Sequence, residues 1–150
     1  MDLLEKAVLN GEKANLEELI AAIPYAQFIG MKVEKKGSEL TTLLPFSHDI
    51  IGNPMLPALH GGVIGAFLET TAMMQLIDIS DGIYLPKTID LTIDYLRSGK
   101  PKDTFARARV TKHGRRVANV HVEAWQDDKE KPIAAAHGHF LLKPSQDDNA

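Results

Sequence analysis

Helical and alternating hydrophobic spacings follow one another along this chain. Leu16, Leu19, Ile20 and Ile23 recur at helical spacing, with Asn15 placed to cap them. Glu17 and Glu18 fall in the first turn, where acidic side chains suit the positive end of the helix dipole. Pro24 follows near the end of this short predicted helix. Ile29, Met31 and Val33, then Leu40, Thr42, Leu44 and Phe46, switch to alternation around Gly37-Ser38, which predicts a hairpin. Residues 47–58 are punctuated by Pro and Gly and read as a loop. Residues 61–79 are apolar nearly all the way round, as in a helix buried on most sides, and Asp81-Gly82 reads as their end. Four strand-like segments follow, at 88–96, 103–112, 116–126 and 132–142, with turns at His113-Gly114 and within 126–131. In the first, Ile89, Leu91, Ile93 and Tyr95 alternate on one predicted face.

This order, one short helix, two strands, a long apolar helix and four strands, predicts an α+β domain with an antiparallel sheet rather than alternating βαβ units. Small residues recur on the late strands at Ala106, Ala108, Ala118, Ala134, Ala136 and Gly138. They let a sheet approach a helix closely or curve around it. One helix covers one face, so the outer face, with Ile89, Ile93, Tyr95 and Phe105 or their opposite-parity neighbours, needs a partner. We therefore expect a homo-oligomer. The predicted division is an N-terminal helical extension (1–26), one domain (27–143) and a disordered polar tail (144–150).

Composition narrows the function. A chain of 150 residues with 44% hydrophobic and 25% charged positions suits one globular domain. A net charge of -3 provides no broad basic field, so neither nucleic acid nor an anionic membrane is an expected partner. The apolar stretches are short and interrupted, and the first residues are acidic where a signal peptide is basic. The chain holds no Cys, which excludes thiol chemistry and fits a cytoplasmic location.

Candidate chemistry centres on Glu69, a charge in the middle of the apolar helix, where carboxylates are rarely buried without a partner. A carboxylate in a dry place is a stronger base; the alternative is a structural ion pair. His60-Gly61-Gly62 opens the helix, and a helix start presents unpaired N–H groups able to stabilise an oxyanion. The glycines also serve a tight turn. His60 has no Ser or Cys placed to pair with it and no G-x-S-x-G elbow. His137 and His139 share a strand face, but no Cys or carboxylate accompanies them in sequence. No metal site and no cofactor are expected.

The run Asn53–Ala72, with His60-Gly61-Gly62 and a carboxylate nine positions after the His, resembles the signature of hotdog-fold acyl-CoA thioesterases of the phenylacetic-acid-degradation type. The resemblance continues through Thr88–Leu91, Tyr95–Arg97, Ala106–Val110 and His113–Arg115, covering roughly residues 28–142. It implies a hotdog, an antiparallel sheet of five to six strands wrapped around one long helix. It also implies dimers joined edge to edge, often paired into tetramers, with active sites at the subunit interface. The substrate implied is an acyl-CoA, hydrolysed to a carboxylic acid and coenzyme A.

By the same resemblance Glu69 acts as general base or nucleophile, and the Gly61 amide polarises the thioester carbonyl, with Gly62 beside it. His60 positions the loop or the thioester, and Asn53 lies near the attacking water. Thr88 holds the water or the carboxylate of the neighbouring subunit. Arg97 and Arg115, within two basic clusters, are candidates for the phosphates of coenzyme A. Met55, Leu56, Phe67, Met73, Met74 and Tyr84 are candidate acyl-pocket residues. An acyl-CoA-binding regulatory hotdog and an enoyl-CoA hydratase-like enzyme remain as alternatives. Gly61 and Glu69 lie roughly 12 Å apart along one helix, since each residue rises 1.5 Å. They therefore meet on one thioester only across two subunits.

Overall fold

A computed structural model describes residues 15–80 and 85–142. Asp81-Gly82, Tyr84, the polar tail and the first residues of the N-terminal extension lie outside this range, so the expectations attached to them go no further here.

Helix α1 (Leu16–Ala22) forms where the apolar spacing places it, and the Asn15 side chain accepts a hydrogen bond from the Glu17 amide at 3.0 Å. Pro24 does more than close this helix. It starts a second one, α2 (Pro24–Phe28), because its fixed φ and missing N–H suit a first turn. The strand expected from Ile29 starts later. Ile29 caps α2, Gly30 turns with φ 76°, and β1 spans Lys32–Lys36. Ile29 and Met31 are nevertheless buried, so the periodicity marked their burial and misjudged their conformation.

Strands β2 (Glu39–Leu44), β5 (Lys87–Tyr95), β6 (Thr104–His113), β7 (Val117–Trp125) and β8 (Ala134–Leu141) complete a six-stranded sheet. The order is β1-β2-β6-β7-β8-β5, and every neighbouring pair is antiparallel. The stretch read as a loop holds a short 3-10 turn (His48–Ile50) and a small hairpin of β3 (Ile51–Asn53) and β4 (Ala58–Leu59). The sheet curls around α3 (Gly61–Ile79), so the fold is a hotdog.

Close approach of helix and sheet follows from the small side chains. Ala106, Ala118, Ala124, Ala134 and Ala136 are all buried in the core that packs against α3. Phe67, Leu68 and Met74 of the helix fill the space beside Phe140, Leu40 and Leu44. Each such side chain contributes about 1.5–3 kcal/mol through removal from water. The polar groups of α3 are satisfied as they are buried. Thr71 donates to the Phe67 carbonyl at 2.7 Å, and its hydroxyl lies 2.7 Å from that of Thr42 on β2. Asp78 accepts from Lys35 Nζ at 2.8 Å. α3 is long and apolar enough to cross a membrane by length and composition, but most of it is buried inside the domain.

One strand breaks its predicted alternation. Thr88 pairs with Phe140 and Leu91 with Gly138, leaving Ile89 and Asp90 opposite His139 alone. This bulge turns Ile89 outward, while Leu91 and Ile93 pack against the core. Four residues expected to share one face therefore divide between two.

The bulge also corrects the reading of the histidines. Asp90 comes beside His139, whose Nδ1–H donates to the Asp90 carboxylate at 2.8 Å. The His139 amide donates to the same oxygen at 3.2 Å. The side-chain bond to His139 holds the Asp90 carboxyl below its usual range. Asp90 therefore adds stability above the ordinary aspartate value of about 3.9. That contribution is lost as pH falls through its lower folded value. NMR titration should find Asp90 below the ordinary value, and His139→Asn should raise it. An unchanged midpoint would rule out the pairing in solution.

Candidate active site

The site is built at the start of α3. Leu59 donates its amide to the Gly99 carbonyl at 3.0 Å, and the His60 amide donates to the Ile50 carbonyl at 2.8 Å. The approach to the helix is thus tied on two sides. His60 is the N-cap, and its Nδ1 accepts the Gly62 amide at 3.0 Å. Accepting at Nδ1 leaves the proton of a neutral ring on Nε2. The ring lies so close that a Cβ on Gly62 would stand 2.8 Å from His60 Cε1, so any other residue would push the capping ring aside. Of the two amides considered as oxyanion donors, Gly62 is already engaged. The Gly61 amide has no hydrogen-bond acceptor among the described residues.

Glu69 lies two turns further on. With Gly62, Ala66 and Met73 it forms a stripe of α3 that the domain's own sheet leaves partly or fully open. α3 carries two carboxylates, and they differ. Asp78 is paired with Lys35 and buried, whereas Glu69 is half-buried with no hydrogen bond or ion pair among the described residues.

The other candidates spread over the fold. Asn53, exposed in the β3–β4 hairpin, accepts the Met55 amide at 3.0 Å in a local turn. Its neighbour Gly52 packs against His60, where a Cβ would lie 2.7 Å from the His60 Cα. Arg97, beyond β5, donates to the Pro132 carbonyl at 3.0 Å, in the same loop as Gly99 and at the Gly61 end of the sheet. Thr88 and Arg115 stand at the opposite end: Thr88 pairs with Phe140 whereas Tyr95 pairs with Ala134, about 20 Å away along the strand. Arg115 is exposed in the β6–β7 turn. The Thr88 hydroxyl is buried without a hydrogen-bond partner among the described residues. One chain therefore gathers Gly61, His60, Asn53 and Arg97 at one end, and holds Glu69, Thr88 and Arg115 progressively further off.

Sequence reading gave Tyr95 no role of its own. Its hydroxyl donates to the Gly61 carbonyl at 2.7 Å, and its ring lies where it would touch a Cβ on Gly61 at 3.4 Å. The two residues are 34 positions apart, and no local pattern pairs them. Among the described residues no group of three or more His, Cys, Asp or Glu is placed to hold a metal ion.

The fold is a hotdog, and along its central helix the first amide and the Glu69 carboxylate have no partner among the described residues. The Thioesterase superfamily matches residues 56–133, and the chain belongs to that family. It is similar to the medium/long-chain acyl-CoA thioesterase YigI of Escherichia coli K12, with 27% identity over 91% of this chain and 98% of that protein. A solved structure from Chromobacterium violaceum is 39% identical and covers 97% of this chain and 100% of its own, with a TM-score of 0.71. A phenylacetic acid degradation-related protein of Ralstonia eutropha JMP134 shares the fold at 20% identity. It covers 85% of this chain and 98% of its own, with a TM-score of 0.72.

Proposed function

We propose that this thioesterase hydrolyses acyl-CoA to a carboxylic acid and coenzyme A, with Gly61 and Glu69 from two subunits completing each site. The observation that carries the reading is the contrast on α3 between the paired Asp78 and Glu69, which like the helix's first amide has no partner among the described residues. The thioester carbonyl accepts from the Gly61 N–H, at the positive end of the helix dipole. Glu69 of the neighbouring subunit either takes a proton from water, which attacks the carbonyl carbon, or attacks it directly. In the first route the tetrahedral oxyanion collapses, the C–S bond breaks and the thiolate leaves. In the second the Glu69 carboxylate displaces the thiolate as the C–S bond breaks, and water then cleaves the resulting mixed anhydride to the acid and the free carboxylate. A single turnover in labelled water leaves label in the Glu69 carboxylate only by the second route.

The two-subunit site calls for edge-to-edge pairing through β5, which ends the sheet and exposes Ile89 and Tyr95. Thr88 offers a buried hydroxyl that lacks a partner among the described residues. Arg97 is the better placed of the two arginines for the phosphates of a coenzyme A bound at Gly61. Medium- and long-chain substrates come first because YigI is named for them. The test is a panel of saturated acyl-CoA thioesters followed by thiol release, with enoyl-CoA hydration measured alongside. Hydrolysis without hydration is expected. Hydration without hydrolysis, or saturable binding with neither, would replace the reading by one of its two alternatives.

A further inference from the structure

We propose that Tyr95 is a positioning residue for the oxyanion donor, an inference that rests on the role given above to the Gly61 amide. The structure holds one peptide group at both ends. The carbonyl of the Gly61–Gly62 peptide accepts the Tyr95 hydroxyl at 2.7 Å, and its N–H donates to His60 Nδ1 at 3.0 Å. Two successive glycines make the most adaptable start a helix can have, and its first amides lack acceptors within the helix. An amide that has to point at a developing oxyanion gains nothing from that freedom. Clamping the next peptide plane fixes the Gly61 dihedrals, and through them the direction of the Gly61 N–H. The bonds from Leu59 to Gly99 and from His60 to Ile50 hold the chain on the other side.

The clamp comes from β5, packed along the first turns of α3. The Tyr95 ring lies against Gly61, and Ile93 would stand 2.8 Å from a Cβ on Gly65. Glycine at position 65 lets the strand come this close. Tyr95 touches neither substrate nor reacting atoms in this scheme and acts only through Gly61.

The test is a cycle of Tyr95→Phe, Gly61→Pro and the double variant, each first shown to be folded and assembled by circular dichroism and sedimentation. Tyr95→Phe keeps the ring and removes one hydrogen bond, so kcat should fall about five- to tenfold, the range of a single hydrogen bond, with KM little changed. Gly61→Pro removes the amide itself. In that background Tyr95→Phe should cost nothing further, because there is no donor left to position. A general structural role would multiply in both backgrounds. Wild-type kcat in Tyr95→Phe, a loss confined to KM, or a full loss repeated on top of Gly61→Pro would overturn the inference. Full activity in Gly61→Pro would instead overturn the donor role of Gly61. If Tyr95→Phe does not fold, the amide shifts of Gly61 and Gly62 in Tyr95→Trp, compared with Gly65, carry the decision. Movement confined to the two clamped positions supports the clamp, and no movement refutes it.

Discussion

Replacing Glu69 by Gln lowers kcat for thioester hydrolysis by about 10³-fold, within the usual range for loss of a positioned acid–base group, and leaves the chain folded. The amide has the size and shape of the carboxylate but cannot take a proton from water or form an anhydride. The fold should tolerate the change because it does not use the charge. Glu69 is half-buried, and no partner among the described residues depends on it. Substitutions away from such dependencies usually stay within about 0.5 kcal/mol of wild type. Asp78→Asn is the instructive contrast on the same helix, since it weakens the pair that the buried Asp78 makes with the more exposed Lys35 and should cost stability. Steady-state kinetics with thermal melting separates the two. A folded Glu69→Gln enzyme with full activity would remove Glu69 from the mechanism.

The second large effect is a recovery. Gly61→Pro and Glu69→Gln should each be nearly inactive alone, yet a dimer containing one chain of each should recover about half of wild-type activity, one site in two being intact. Reaction requires approach to about 3–3.5 Å, whereas Gly61 and Glu69 of one helix lie roughly 12 Å apart along its axis. If each site takes its donor from one chain and its carboxylate from the other, the mixed dimer holds one complete site and one doubly defective site. Proline at position 61 suits the local backbone. It is the first helical residue, where the missing N–H breaks no helical bond, and His60 already has the extended φ -65°, ψ 126° that precede proline well. A Cβ there meets the Tyr95 ring at an ordinary 3.4 Å. Co-expression with two affinity tags isolates the mixed dimer. Mixed dimers as inactive as their parents would rule out the shared site.

How much of this was legible depended on whether the signal was local. The apolar run from Gly61 to Ile79 named its own helix, and Asn15 with Leu16, Leu19 and Ile20 named another. The alanines of β6, β7 and β8 announced a sheet that hugs its helix. Features set by register or by distant contacts were not legible. One extra residue at Ile89-Asp90 reverses which side chains face inward, and alternation cannot reveal an insertion that leaves the residue types plausible. Asp90 reaches His139 only through that bulge, 49 positions away. At the candidate site the residue types were readable and their engagements were not. His60-Gly61-Gly62 suggested two available donors, but the cap from His60 consumes one of them.

The helix α3 divides its circumference between two kinds of constraint. The side that carries Phe67, Leu68 and Met74 answers to its own sheet, and changes there register as loss of fold. The open stripe of Gly62, Ala66, Glu69 and Met73 answers to whatever lies beyond the chain. Along that stripe, stability and catalysis come apart. Under the two-subunit reading, changes at Ala66 or Met73 alter what packs against the helix from outside and spare the fully buried core of the domain.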